Sequence, residues 1–181
     1  MIWWLVGAIV LLLLILILMY NSLVRLKNQV KNAWAQIDVQ LKRRTDLIPN
    51  LIEAVKGYMK HERELLTDIT KARTEIMKSG SVKGKAQANN MLSESLKSLF
   101  AVAENYPNLK ANENFIQLQE ELSGTENKIA YARQHYNDMV MTYNTKIEMF
   151  PSNVIASMFS FKHDTLFEVD EADKKNVKVK F

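Results

Sequence analysis

The chain has no cysteine, only five glycines and three prolines in 181 residues, and no charged side chain among residues 1–20. The missing cysteine excludes disulfides, thiol catalysis and cysteine-ligated metals. Sheet proteins need many turns, so sparse glycine and proline argue against a sandwich or barrel and for a few long helices. Lys+Arg 24 against Asp+Glu 20 leaves a net charge of +4. That excess is small and interspersed, so no nucleic-acid surface is read from it.

What the first twenty residues do contain is apolar. Ile2 to Met19 is built from Trp, Val, Ala, Ile, Leu, one Gly and a closing Met. A run of roughly 18 such residues is long enough to cross a bilayer core of about 30 Å. No basic segment precedes it, it is long for a secretory signal, and Tyr20-Asn21-Ser22-Leu23 offers no Ala-x-Ala cleavage site. The segment 1–20 therefore reads as an uncleaved, single-pass anchor, in contact with lipid through residues 2–19. Trp3, Trp4 and Tyr20 stand at its ends, where aromatic belts form. The first basic residues, Arg25, Lys27 and Lys31, follow the span. The positive-inside tendency then puts the N-terminus outside and the rest in the cytoplasm.

Two seven-residue columns follow. One is Val30, Ile37, Arg44, Leu51, Tyr58, Leu65, Ala72; the other is Trp34, Leu41, Ile48, Val55, Glu62, Ile69, Ile76. Alternate steps of four and three predict a helix packed along one stripe. The phase does not slip at Pro49, so the proline is expected to bend the helix by removing the bond to Thr45. The rival is a break at Thr45-Asp46, with Asp46 capping a second helix. On the first reading one helix runs over about 21–78 and stops at Lys78-Ser79-Gly80-Ser81. It would reach roughly 85 Å from Asn21.

Leu92, Leu96, Leu99, Ala103 and Tyr106 predict a helix over 82–105, ended by Tyr106-Pro107-Asn108. Asn112 is a candidate N-cap. Phe115, Leu122, Ile129, Tyr136, Tyr143 and Phe150 recur at every seventh position and predict a helix over 112–149. A short amphipathic helix is expected over 152–159, inside a bundle domain spanning 21–161, and then a polar tail over 162–181 whose Lys174–Lys180 stretch is exposed and mobile. The fold class is all-α: a transmembrane helix continuing into an elongated, antiparallel, up-and-down bundle. The tyrosines Tyr58, Tyr106, Tyr131, Tyr136 and Tyr143, and the methionines Met77, Met91, Met139, Met141, Met149 and Met158, are assigned to packing. Met158-Phe159-Ser160-Phe161 either docks on the bundle, the favoured reading, or dips into the membrane surface.

Several stretches resemble the LemA family. They are Arg43-Arg44-Thr45-Asp46-Leu47-Ile48-Pro49-Asn50-Leu51, Val55-Lys56-Gly57-Tyr58, His61-Glu62, and Tyr106-Pro107-Asn108-Leu109-Lys110-Ala111. Ala132-Arg133, Tyr136-Asn137, Tyr143-Asn144, Phe150-Pro151 and Phe167-Glu168 match as well. The resemblance runs from Tyr20 to about Glu168 and implies a membrane helix followed by a helical bundle. It implies no activity. Some relatives are linked to organising internal membranes, and others sit beside membrane proteases or other membrane proteins, which points by association to a scaffold or adaptor.

The motifs of known chemistry fail one by one. His61-Glu62 begins a zinc-protease signature, but Leu65 stands where the second His belongs. The residues three before His61, His135 and His163 are Tyr58, Ala132 and Ser160, so no Glu-x-x-His pair exists for a di-iron site. Gly80 to Lys85 has only three residues between its glycines and Ala86 in place of Ser/Thr, so it reads as a turn and not a phosphate loop. No catalytic, cofactor-binding or metal-binding residue is assigned. Polar residues on or beside the stripes do form a candidate structural network: Arg44, Asp46, Glu62, Glu126, Arg133, Asn137 and Asn144. Buried charges must be paired, and Glu126 and Arg133 share a face two turns apart.

The reading is a non-enzymatic, membrane-anchored scaffold or adaptor for membrane-associated proteins, with self-association a further option for its heptad stripes. The alternative is a protein that organises the membrane directly. A third reading is an enzyme with a polar site around Glu126, Arg133 and Arg44.

Overall fold

The computed structural model describes residues 1–59 and 61–167. They form six α-helices and, among the described residues, no strand: α1 Ile2–Lys56, α2 Arg63–Lys78, α3 Val82–Ala103, α4 Pro107–Lys110, α5 Glu113–Glu148 and α6 Ser152–Met158. The chain divides into two compact units. One comprises Met1–Gln36 and Gln134–Leu166. The other comprises Ile37–Arg133 and, among the described residues, Phe167.

The second of these units is an up-and-down helical bundle. It takes the C-terminal part of α1, all of α2, α3 and α4, and the first part of α5. The seven-step stripes bury Ile37, Leu41, Ile48, Leu51 and Val55 from α1, and Ile69, Ala72 and Ile76 from α2. Leu92, Leu96 and Leu99 from α3 and Phe115, Leu122 and Ile129 from α5 are buried in the same unit. Cross-helix contacts give the directions. Arg73 on α2 reaches Thr45 on α1, and Lys85 at the start of α3 forms an ion pair with Asp38 on α1. The Phe100 and Phe115 rings meet edge-on with centroids 6.1 Å apart. Local signals fix the helix starts. The Gly84 amide donates to the Ser81 hydroxyl at 3.0 Å, and a Cβ on Gly84 would collide with the Ser79 hydroxyl. The Phe115 amide donates to the Asn112 side chain at 3.1 Å, the cap expected there.

Pro49 lies inside α1 and does not end it. The predicted helix over 21–78 is nevertheless two helices. α1 stops at Lys56, and α2 begins at Arg63. The Tyr58 and Met59 amides both close on the Val55 carbonyl, at 3.0 and 2.9 Å, and Met59 is buried as a plug under the turn. Gly57 is a poor helix former at the point of exit. The columns conceal the turn because Ile69 and Ile76 fall at multiples of seven from Ile48 on the far side of it. Asn21 to Lys56 spans about 54 Å at 1.5 Å per residue, and not roughly 85 Å.

The other unit contains the start of α1, the end of α5, α6 and the residues that follow it. Leu23, Val30 and Ala33 of α1 and Tyr136, Val140, Tyr143 and Ile147 of α5 are buried, and the Trp34 and Tyr136 rings lie 5.5 Å apart. Residues 162–166, the described start of the polar tail, are tied to α5. The Tyr143 hydroxyl donates to the Lys162 carbonyl at 3.0 Å and the Tyr136 hydroxyl to the Thr165 carbonyl at 2.8 Å. Phe167, beyond them, is buried. The expected mobile Lys174–Lys180 stretch lies outside the described residues.

The core does not take every aromatic or methionine. Tyr58, Tyr131, Met77, Met91, Met141, Met149 and Met158 are exposed. Phe150 leaves the stripe because α5 ends at Glu148, before its turn would point inward.

Candidate functional site

Arg44 occupies a stripe position on α1, and its side chain is only 3% exposed. A buried guanidinium needs acceptors. Its Nη1 donates to Asn89 Oδ1 at 2.7 Å and to Ser93 Oγ at 3.0 Å, both on α3. Its Nη2 forms an ion pair with Glu126 on α5. The Ser93 hydroxyl lies 3.0 Å from both Glu126 oxygens and donates to that carboxylate. The result is a closed polar loop joining α1, α3 and α5. Spacing did not single out Asn89, although it sits seven residues before Leu96 on the α3 stripe and is itself buried.

The loop has a dry end and a wet end. The Glu126 side chain is 43% exposed and borders an open cleft of about 250 Å³ lined by Ser93, Leu96, Phe100, Leu122 and Ser123. Burial pulls the Arg44 guanidinium below its ordinary value, and the Glu126 charge opposes that. Arg44 Nε is buried without an acceptor among the described residues. Both Arg44 Nη atoms, Asn89 Oδ1, the Ser93 hydroxyl and the Glu126 carboxylate are engaged within the loop. The arrangement pairs the buried guanidinium with a carboxylate and links three helices through side chains.

The remaining candidate residues are scattered. Asp46 is exposed on α1. Glu62 precedes α2 and accepts from the Tyr106 hydroxyl at 2.6 Å. That bond is the main reason the Tyr106 hydroxyl is held above its ordinary pKa. Arg133 is half-buried on α5 and lies outside the Arg44 loop, in which Glu126 makes an inter-helix ion pair with Arg44. Asn137 is half-buried on α5. Asn144 reads backbone: its Nδ2 donates to the Asp164 carbonyl at 2.9 Å, and its Oδ1 accepts from the Asp164 amide at 3.0 Å. Burial, then the Asp164 charge, push the nearby Tyr136 hydroxyl up to about 12 and raise Tyr143 in the same direction. Among the described residues no cluster of three or more His, Asp or Glu is placed to hold a metal.

The membrane-type segment is the other site. α1 is long and apolar enough at its start to cross a bilayer, and nearly every side chain from Ile2 to Leu18 is exposed. An unbroken, exposed apolar surface of this length fits a lipid environment. Trp3 and Trp4 stand free at one end. Tyr20, at the other, packs against Phe159 at 4.7 Å and Phe161 at 5.9 Å between ring centroids.

Residues 33–181 match the family model of the LemA family. The chain belongs to the LemA family. The protein LemA of Metamycoplasma hominis is 28% identical over 162 residues, covering 87% of this chain and 72% of that protein. The magnetosome protein MamQ 2 of Paramagnetospirillum magneticum is 25% identical over 179 residues, covering 84% of this chain. The magnetosome protein MamQ of Magnetospirillum gryphiswaldense is 23% identical over 178 residues, again covering 84% of this chain. The chain spans 66% and 65% of those two MamQ proteins, just under two thirds. The LemA match begins at residue 33, so the apolar segment lies before it.

Proposed function

We propose that the chain is a non-enzymatic scaffold or adaptor, anchored by a single span and presenting its helical bundle to membrane-associated proteins on the cytoplasmic side. The observation that carries this is the composition of α1. One unbroken helix supplies both the lipid-type surface of residues 2–19 and a full core stripe of the bundle. The position of Arg25, Lys27 and Lys31 just after the span supports the cytoplasmic placement. The self-contained polar loop around Arg44 supports a structural use of its charges. Photo-crosslinking from exposed positions on α2 and α3 in living cells, followed by mass spectrometry, tests the reading. The expected result is reproducible capture of a small set of membrane-associated proteins, lost when the span is replaced by a soluble leader. Recovery of the chain alone, together with a monomer in detergent, refutes it.

A second reading is direct organisation of the membrane, supported by the similarity to proteins named as magnetosome proteins. It predicts altered membrane morphology on overexpression, and the scaffold reading predicts none without a partner.

A further inference from the structure

Helix α6 is amphipathic in seven residues. Ser152, Ile155 and Ala156 are its buried side. The opposite side carries Val154 and Met158, which are 51% and 70% exposed, continued by Phe150 before the helix at 81% and Phe159 after it at 56%. Phe150, Val154 and Met158 are thus turned away from the protein, and Phe159, although its ring meets Tyr20, leaves more than half of its surface exposed beside them. Such a patch is unfavourable in water, so it calls for an occupant.

The Tyr20 contact identifies the occupant. Tyr20 directly follows the apolar run, and both Phe159 and Phe161 pack on its ring. The C-terminal end of α6 is therefore held level with the end of the lipid-type segment, within the same compact unit. Lys27 sits over the Phe161 ring at 5.5 Å. Arg25 and Lys31 lie exposed within two turns of it, a basic rim at the height of phosphate headgroups. Apolar surface, aromatic belt and basic rim are stacked in the order of acyl chain, interface and headgroup.

We propose that the Phe150–Val154–Met158–Phe159 face is a second membrane contact, an interfacial foot that enters the headgroup–acyl boundary beside the span. Its depth is that of an in-plane amphipathic helix, about 5–10 Å. The foot holds the end of α5 at the bilayer surface and limits tilt of the unit about the single span. It rests on the reading of residues 2–19 as a membrane span.

The cysteine-free sequence makes single labels unique. The full chain is reconstituted into vesicles of phosphatidylcholine with phosphatidylglycerol, carrying an environment-sensitive fluorophore at Val154→Cys, Met158→Cys, Leu12→Cys or His135→Cys. His135 is the aqueous control, because it neighbours Tyr136, which pairs with Trp34 about 21 Å along α1 from Tyr20 at 1.5 Å per residue. Lipids carrying a quencher high or low on the acyl chain are then compared. The expected result is loss of fluorescence at 154 and 158 with the shallow quencher more than the deep one, the reverse order at 12, and no loss at 135. Quenching at 12 with labels at 154 and 158 as open to aqueous iodide as the one at 135 overturns the foot and leaves the anchor standing. Labels at 154 and 158 shielded from both lipid quencher and iodide overturn it in favour of a protein cover, a second copy included. Absence of quenching at 12 refutes the anchor and the foot together.

Discussion

Arg73 donates from Nε to the Thr45 carbonyl at 2.9 Å, and Thr45 is the residue whose carbonyl Pro49 leaves without a helical donor. An α2 side chain thus replaces the hydrogen bond that the proline removes from α1. This explains how a proline is tolerated inside a 55-residue helix, and why the hairpin partner that supplies the donor lies just there.

The pair should be energetically coupled. Arg73→Met is expected to destabilise the protein by about 1–2 kcal/mol, the value of a lost bond to a charged donor at a half-buried site. In a Pro49→Ala background the substituted residue brings a backbone amide that can serve Thr45, so the same change should cost less. A double-mutant cycle on chemical denaturation in detergent measures the difference, and strict additivity would argue that the two residues act independently.

The loop around Arg44 should respond asymmetrically. Glu126→Gln leaves a buried guanidinium without its counter-charge and is expected to cost about 2–4 kcal/mol, at or below the range for fully buried pairs because Glu126 is partly exposed. The double variant Arg44→Met, Glu126→Gln should be more stable than Glu126→Gln alone. Arg133→Met, half-buried but outside the loop, should cost less than Glu126→Gln, staying within about 1 kcal/mol of the parent. Thermal or urea unfolding of the variants side by side checks the ordering.

The Asn144 side chain pins residues 162–166 through the amide and carbonyl of one residue. Asn144→Leu removes the bonds to the Asp164 amide and carbonyl and should release the strap locally by about 1–2 kcal/mol. Hydrogen exchange should rise over 162–166 and remain unchanged in α2 and α3. Equal acceleration in all three regions would mean that the strap is part of the global fold.

Alkaline stability should fall for a definite reason. Tyr136 titrates near 10 when unfolded and about 12 when folded, so its protonated form favours the folded state. That contribution is complete below about pH 10 and is lost as the pH rises through about 12. Tyr143 and Tyr106 shift the same way. Tyr136→Phe loses the bond to the Thr165 carbonyl, costs about 1 kcal/mol near neutrality, and should flatten the decline above about pH 10. Denaturation midpoints at several pH values separate the two effects.

Much of this architecture is legible in the sequence. The stripes found by spacing supply the core from Ile37 to Tyr143, and Asn112 caps the helix it precedes. The hairpin at 57–62 is hidden there, because a turn that preserves a count of seven leaves no mark on periodicity. Its trace is chemical: Tyr58 and Glu62 stand in apolar columns, yet one is exposed and the other bonds Tyr106. Arg44 is recognisable as a charge on a stripe, and Asn89 carries the same mark on α3. The pairing of Arg44 with Glu126 depends on which helices meet, which spacing within one helix cannot report. Asn144 finds backbone as its partner, and backbone carbonyls and amides have no sequence signature.

The proposed placement of the bundle at the cytoplasmic face, held by residues 2–19, is tested most directly by labelling Lys83→Cys, an exposed site at the start of α3, with a membrane-impermeant maleimide. The full chain in intact cells should remain unlabelled in the membrane fraction and become labelled once the membrane is permeabilised. Labelling in intact cells, or recovery of the chain in the soluble fraction after an alkaline wash, would contradict the account.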